Sequence, residues 1–200
     1  MRRLALIFMG LTFILSSCGQ NLELESLRTV DQGELIGLKG ENSTYTWKGV
    51  PFAEPPVGEL RWKEPKKAKV WNGRLEASKF KQGCFQRASF LENTQGKWSG
   101  GEDCLYLNVW TPQLSNQEIK ESPKKLPVMM WIHGGANVVG SAHTYDPSSL
   151  VSNHEVVVVT IQYRMGPLGW FRHPALHTEE SSLEDISGNY GTLDTIMALR

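Results

Sequence analysis

Apolar residues occur along this chain in short runs whose spacing predicts strands. Residues 127–133 and 156–161 are almost uninterrupted apolar runs, which is typical of central strands that helices cover on both faces. Residues 105–110 alternate instead, with two leucines and a valine on one face and tyrosine, asparagine and tryptophan on the other. That alternation predicts a strand between two different environments. We therefore expect a sheet with buried central strands.

Shorter patterns predict a hairpin, a loop and a helix. Glu34 to Leu38 and Thr44 to Lys48 are strand-like, and Lys39 to Asn42 between them has turn chemistry, so we expect an N-terminal β-hairpin. Residues 111–125 are polar and contain two prolines, which predicts a loop. Residues 192–200 have apolar side chains at helical spacing, with Thr192 as the expected N-cap and no stop signal after it.

The first residues have the pattern of an export signal. Arg2 and Arg3 precede a mostly apolar run of 12 residues, and Ser16-Ser17-Cys18 follows it. This pattern predicts a signal peptide over residues 1–17, because 12 residues are too few to span a bilayer. The Leu-Ser-Ser-Cys sequence resembles a bacterial lipobox, which implies lipidation of Cys18 and a lipid-anchored tether over residues 18–29. The alternative is a plain signal peptide with an incidental cysteine.

Export places the protein in the bacterial cell envelope, anchored to a membrane through lipidated Cys18, or in the periplasm or medium. Gly19 after the cysteine, where an aspartate would retain a lipoprotein, favours the outer membrane. The remaining chain is nearly neutral: without Arg2 and Arg3 it has 19 basic and 21 acidic residues. Its densest basic cluster, residues 63–69, is interrupted and fits a solvated loop, so no nucleic-acid partner is expected.

The chain has three cysteines, an odd number for an exported protein. Lipidation of Cys18 would leave Cys84 and Cys104 available to pair. These two lie 20 positions apart without a Cys-x-x-Cys spacing, so a disulfide is favoured over a zinc site.

Candidate chemistry follows the apolar run that begins at residue 127, which ends in His133-Gly134-Gly135-Ala136. Small residues at the end of a strand leave peptide N–H groups uncovered, as a site needs to stabilise an oxygen that becomes negative during reaction. The motif is of the type found in the oxyanion loops of lipases and esterases. No Gly-x-Ser-x-Gly, the usual setting of the nucleophile, occurs in the 200 residues.

Further blocks occur in order around this loop. The five are residues 49–58 (GVPFAEPPVG), 102–110 (EDCLYLNVW), 133–136 (HGGA), 163–169 (YRMGPLG) and 188–194 (GNYGTLD). Together they resemble the type-B carboxylesterases, the cholinesterase-like branch of the α/β-hydrolases. The resemblance implies an α/β fold with a mixed, mostly parallel sheet and an N-terminal β-hairpin. Residues 30–200 would be the N-terminal half of that domain, incomplete at the C-terminus and apparently truncated.

The resemblance assigns roles to the residues of the loop. The backbone N–H groups of Gly135 and Ala136 would form two of the three donors of an oxyanion hole, while His133 and Gly134 would shape the loop. Ala136, where many relatives have glycine, keeps its N–H group and adds a methyl. Asn137 stands where an aromatic residue is common, which affects the lining of the acyl pocket.

The resemblance also implies two structural pairs. Cys84 and Cys104 match the first disulfide of the family. Arg61 and Glu102 match a pair that forms a buried salt bridge in relatives. Breaking a buried pair from one side costs about 3–5 kcal/mol.

The implied function is that of a carboxylic ester hydrolase that acts on small-molecule or lipid esters through a serine acyl-enzyme. The nucleophile, acid and base would lie beyond Arg200, so the printed chain alone is expected to be inactive and poorly soluble. Chain order excludes Asp194 as the triad acid. The alternative is a non-catalytic cholinesterase-like surface lipoprotein or binding protein. No cofactor or metal is expected, because His173 and His177 have no third ligand.

Overall fold

The computed structural model describes residues 22–87 and 97–200. The predicted signal peptide and Cys18 lie outside this part of the chain. In chain order the described strands are β1 (Arg28–Val30), β2 (Gly33–Ile36), β3 (Leu38–Lys39), β4 (Thr44–Pro51), β5 (Arg74–Glu76), β6 (Gln86–Arg87), β7 (Trp98–Ser99), β8 (Tyr106–Pro112), β9 (Val128–Ile132) and β10 (Val157–Ile161). The α-helices are α1 (Asn116–Glu121), α2 (Ser148–His154), α3 (Gly166–Gly169), α4 (Leu183–Ser187) and α5 (Tyr190–Ala198).

The main sheet has the strand order β3-β4-β8-β10-β9. It is mixed, as predicted. The parallel pairing that we expected to predominate is limited to β9 and β10, and the other three neighbouring pairs are antiparallel. Only one connection between neighbours, from β9 through α2 to β10, is the crossover that a parallel pair requires. The strands that precede β9 form the antiparallel side of the main sheet and two small separate sheets, β1-β2-β5 and β6-β7.

The predicted hairpin forms with a shorter first strand. Residues of β3 pair with β4 through Leu38–Thr46 and Lys39–Tyr45. Residues 34–36, which we placed in the same hairpin, belong to β2 in the smaller sheet. Gly37 lies between the two strands, and a Cβ there would collide with the carbonyl oxygen of Thr46, so only glycine fits this position. The chain therefore changes sheets at a glycine.

Strand β9 is an edge strand, and the prediction that helices cover both of its faces is wrong for the described residues. Val128 is 65% exposed, and Met129, Trp131 and Ile132 are each between 44% and 49% exposed. Its only strand neighbour in the described part of the chain is β10. Strand β10 is central, as predicted. It lies between β8 and β9, and most of its side chains are buried.

The core side of β8 includes a polar residue. The face formed by Tyr106, Asn108 and Trp110 is the more buried one, with Asn108 and Trp110 almost inaccessible. Asn108 donates to Oγ1 of Thr160 at 3.0 Å and accepts from the N–H group of Gly49 at 2.9 Å. A buried amide with both ends bonded fixes the register of three neighbouring segments.

Two helices differ from the sequence expectation. Residues 116–121, predicted as loop, form α1, which begins with a capping box between Ser115 and Glu118. Helix α5 begins at Tyr190, two residues before the expected cap at Thr192. It packs closely on its neighbours. At Gly191 the contact is so close that a Cβ would collide with the ring of Trp170. None of the described helices is both long enough and apolar enough to cross a membrane.

Candidate active site

The loop His133–Ala136 lies at the carboxyl end of β9, where the sequence analysis placed it. The His133 side chain is buried, whereas residues 134–138 are exposed. Gly135 has φ +122°, and a Cβ on it would collide with the carbonyl group of Val139. Only glycine fits that position. Ala136 and Asn137 are both left-handed, with φ of +54° and +62°, a conformation that costs a non-glycine residue about 1 kcal/mol or more.

Backbone hydrogen bonds hold this loop in a tight turn. The carbonyl oxygen of Gly135 accepts from the N–H groups of Val138 and Val139 at 3.0 and 3.1 Å. The carbonyl oxygen of Asn137 accepts from the N–H group of Gly166, at the start of α3, at 2.7 Å. The carbonyl group of Gly135 therefore forms the hydrogen bonds within the turn, and that of Asn137 bonds the turn to α3.

The two N–H groups assigned to the oxyanion hole remain available. Within residues 22–87 and 97–200, the backbone N–H groups of Gly135 and Ala136 donate to no protein acceptor. Both residues are exposed. Fixed, unpaired donors of this kind can stabilise a developing negative charge without reorganisation.

His133 lies beneath the loop. Its ring stacks on Tyr163 with 4.4 Å between centroids, and Oη of Tyr163 donates to the carbonyl oxygen of His133 at 2.7 Å. Nδ1 lies 3.0 Å from the carbonyl oxygen of Gly134. Burial lowers the pKa of the imidazole, although hydrogen bonding to Gly134 and Gln162 opposes the shift. A neutral imidazole with a proton on Nδ1 fits this geometry and fastens the first turn of the loop.

A buried glutamine that the sequence analysis missed fixes the other end of the loop. Oε1 of Gln86 accepts from the N–H group of Gly140 at 2.7 Å, and its Nε2 donates to the carbonyl oxygen of Gly140 at 2.8 Å. The same Nε2 also donates to the carbonyl oxygen of Cys84 at 3.1 Å. One side-chain amide therefore satisfies both polar groups of a buried glycine on the segment that leaves the loop.

Cys84 and Cys104 form a disulfide in the structure. Because Gln86 lies two residues after Cys84, the covalent link and the amide that bonds Gly140 belong to the same segment. Both cysteines are buried in a core cluster with Leu105, Tyr163 and Met165.

Arg61 and Glu102 form a two-pronged ion pair, in which Nη2 donates to Oε1 at 2.6 Å and Nε donates to Oε2. The side chains are 40% and 27% exposed, so the pair is not buried, contrary to the expectation from relatives. Solvent reaches both partners because they line the wall of an open cleft. The large cost expected for breaking a buried pair therefore does not apply.

A cleft of about 560 Å³ opens beside the loop. Val138 contributes to its wall from the loop, and α3 contributes Gly166 and Leu168. The rings of Trp62, Phe85 and Trp98 also line it, and those of Phe85 and Trp98 stack with 5.1 Å between centroids. The lining includes Val138 but neither Gly135 nor Ala136. A cleft with such walls can take an apolar group.

The chain is similar to known carboxylesterases. The sequence profile of the carboxylesterase family matches residues 25–200. A fumonisin B1 esterase of Sphingopyxis macrogoltabida is 38% identical over 175 residues, which cover 87% of this chain and 30% of that protein. A para-nitrobenzyl esterase of Bacillus subtilis is 39% identical over 175 residues, which cover 86% of this chain and 33% of that protein.

A solved structure of a PNB esterase superimposes with a TM-score of 0.72 at 36% identity, over 88% of this chain and 34% of that one. This likeness confirms the expected α/β-hydrolase fold. The chain spans about a third of the length of the relatives that it matches. The match of the family profile to nearly nine-tenths of the chain shows that it belongs to the carboxylesterase family.

Proposed function

We propose that this protein is a carboxylic ester hydrolase in which Gly135 and Ala136 hold the oxyanion of an acyl-transfer reaction. The observation that carries the proposal is the pair of exposed, unpaired N–H groups on a loop fixed at both ends. Attack on an ester carbonyl by a serine would place negative charge on the carbonyl oxygen, and these donors would stabilise it. No residue of the printed chain is assigned as nucleophile, acid or base.

The cleft supports a small-molecule or lipid ester as substrate. Its walls are largely apolar and aromatic. Of its three charged lining residues, Arg61 and Glu102 form an ion pair, and Arg87 is exposed to solvent. An uncharged apolar group would contact the aromatic walls without burying an unpaired charge. We therefore propose esters whose acyl or alcohol part is uncharged.

We also propose that the protein is exported and held at a membrane by lipidated Cys18. The support is the run of two arginines, an apolar segment and Leu-Ser-Ser-Cys at residues 2–18. Mass spectrometry of the N-terminal peptide from cell-envelope fractions tests this proposal. A diacylglyceryl group on Cys18 is expected, and an unmodified cysteine in a soluble protein would refute the anchor.

Two loop variants of the full-length protein test the proposed chemistry. Gly135→Ala inserts a methyl where the backbone of Val139 leaves no room, so it should displace a donor and lower kcat for p-nitrophenyl esters by about 10²–10³. Ala136→Gly is the matched control, since it keeps the N–H group and suits the left-handed backbone. It should retain most of the turnover.

Labelling with a fluorophosphonate probe separates a damaged hole from a misfolded protein. Gly135→Ala should still react with the probe at a serine, although more slowly than the wild type. If the wild-type protein neither hydrolyses esters nor reacts with the probe, the alternative of a non-catalytic surface lipoprotein is favoured.

A further inference from the structure

Trp62 has a backbone conformation that its residue type rarely adopts. Its φ is +55°, and the preceding residue, Arg61, has φ −66° and ψ 134°. These angles fit the two central residues of a type II turn, whose second central position usually holds glycine or asparagine. A bulky side chain strains a left-handed backbone. Such strain persists only where the surrounding structure over-determines it, and it is concentrated at functional sites.

The neighbours of Trp62 hold the strained turn from both sides. Within residues 61–64, each of the other three residues has a polar partner from a distant segment: Glu102 for Arg61, Arg164 for Lys63 and Asp185 for Glu64. Burial of the indole does not explain the strain. Trp62 is only partly buried, and in the described part of the chain it belongs to no buried apolar cluster.

The indole of Trp62 makes a specific contact with the start of α3. Its N–H group donates to the carbonyl oxygen of Pro167 at 2.9 Å. No backbone N–H group within residues 22–87 and 97–200 bonds that carbonyl. The ring also lies against Phe171, with 5.4 Å between centroids, and forms part of the cleft wall. Trp62 therefore supplies the donor that ties α3 to the turn.

Helix α3 in turn holds the oxyanion loop. The N–H group of Gly166, the first residue of α3, donates to the carbonyl oxygen of Asn137 at 2.7 Å. Asn137 directly follows Ala136, which carries one of the two proposed donors. Pro167 directly follows Gly166, and its fixed φ limits the freedom between its carbonyl group and the Gly166 N–H group. Two hydrogen bonds on adjacent residues therefore connect the indole with the loop.

We infer that Trp62 is a positioning residue for the oxyanion loop: its indole N–H group holds the start of α3, and α3 holds Asn137 beside the donor on Ala136. The inference rests on the proposed function insofar as the loop is an oxyanion hole. The strained turn is retained because it places the indole against Pro167. Since Trp62 also lines the cleft, one side chain joins the wall of the cleft to the loop.

Trp62→Phe in the full-length protein tests this role, because it keeps an aromatic ring on the cleft wall and removes the indole donor. We expect kcat for p-nitrophenyl esters to fall about tenfold with KM unchanged, as for a loss of transition-state stabilisation alone. Amide hydrogen exchange at Gly166 should become faster, because α3 then holds Asn137 less firmly. An unchanged exchange rate or an unchanged kcat would overturn the inference.

Trp71→Phe is the matched control. The indole N–H group of Trp71 donates to the carbonyl oxygen of Glu34 at 2.7 Å, and its ring packs against a buried apolar cluster. The substitution removes an equivalent hydrogen bond at a residue outside the lining of the cleft. It should leave kcat and the exchange rate at Gly166 unchanged. A fall in kcat equal to that of Trp62→Phe would identify general destabilisation as the cause and refute the positioning role.

Replacement of Trp62 by 3-benzothienylalanine covers the case in which Trp62→Phe does not fold. This residue has a ring system of the same size with sulfur in place of the N–H group, and it should lower kcat and speed exchange at Gly166 in the same way. A higher KM with unchanged kcat would make Trp62 a wall of the cleft alone and refute the inference.

The exchange measurement separates this inference from the proposed function. A wild-type protein without hydrolase activity would refute the proposed function. Faster exchange at Gly166 in the Trp62 variants of that protein would still support the hold of the indole on α3, and unchanged exchange would refute it.

Discussion

The carboxylate of Asp194 accepts three hydrogen bonds from Arg164. They come from the backbone N–H group at 3.0 Å, from Nε at 2.9 Å and from Nη2 at 2.7 Å. Both side chains are almost inaccessible to solvent. The buried ion pair therefore joins α5 to the segment that follows β10.

Removing the cation of this pair should destabilise the protein strongly. Arg164→Leu would leave the Asp194 carboxylate buried and unpaired, and we expect the free energy of unfolding to fall by about 3–5 kcal/mol. Urea denaturation of the full-length protein measures the change. The double variant Arg164→Leu/Asp194→Leu should recover part of the loss, because no buried charge then remains. Equal losses in the single and double variants would contradict this interpretation.

Gln86→Leu should loosen the segment that leaves the oxyanion loop. The substitution removes the partners of the N–H and carbonyl groups of Gly140, and each unsatisfied buried group costs about 1–3 kcal/mol. We expect faster amide hydrogen exchange at Gly140 and a lower kcat for p-nitrophenyl esters. Gln82→Leu, at an exposed glutamine in the same segment, is the control and should change neither quantity.

Loss of the disulfide should lower the free energy of unfolding, because the unfolded chain then gains conformational entropy. The link joins residues 20 positions apart, and the chain-entropy relation predicts about 3 kcal/mol for a loop of that length. The double variant Cys84→Ser/Cys104→Ser should show this decrease in urea denaturation. An unchanged midpoint would mean that the reduced protein is already as constrained as the oxidised one.

Acidification should destabilise the site through its histidines. Burial lowers the pKa values of His133 and His143 in the folded protein. Below about pH 6.5 these histidines become protonated in the unfolded chain while they are still neutral in the folded protein. The stabilisation is therefore fully present above that pH and is lost as the pH falls towards the lowered pKa values. The free energy of unfolding, measured from pH 7.5 to 5, should fall less steeply in His143→Phe than in the wild type.

The exposed edge at β9 should promote association of the 200-residue chain when it is expressed alone. Val128 and Met129 present apolar side chains beside unpaired backbone groups in the described sheet, and open edges of this kind template further pairing. Val128→Lys/Met129→Lys should reduce the associated fraction in sedimentation velocity. Val70→Lys, which replaces a still more exposed valine outside this strand, should have no such effect.

The features that the sequence predicts correctly are those determined by residues close together in the chain. Strands β8 and β10 and the loop at residues 133–136 depend on apolar spacing and small residues within a few positions. The polar residues and prolines of 111–125 predict a loop, although Ser115 followed by Glu118 is the signal of the capping box that begins α1.

Features set by distant partners could not be predicted in this way. The exposure of β9 depends on which elements lie beside it, and its apolar sequence does not contain that information. Gln86 bonds the backbone of Gly140, 54 residues away, and the amide of Gln162 bonds the ring of His143, 19 residues away. The sequence around a glutamine does not indicate which distant group its amide will bond. The partners of Gln86 and Gln162 are therefore evident only in the folded structure.

The position of Gln86 links the chemistry of sulfur to that of the ester site. It lies two residues after Cys84, and its amide holds the backbone of Gly140. While the thiols are reduced, the segment that carries Gln86 lacks its covalent tie to Cys104, and only non-covalent contacts place it against Gly140. Under the proposed function, oxidation of the two thiols would therefore help to position the backbone that follows the oxyanion loop.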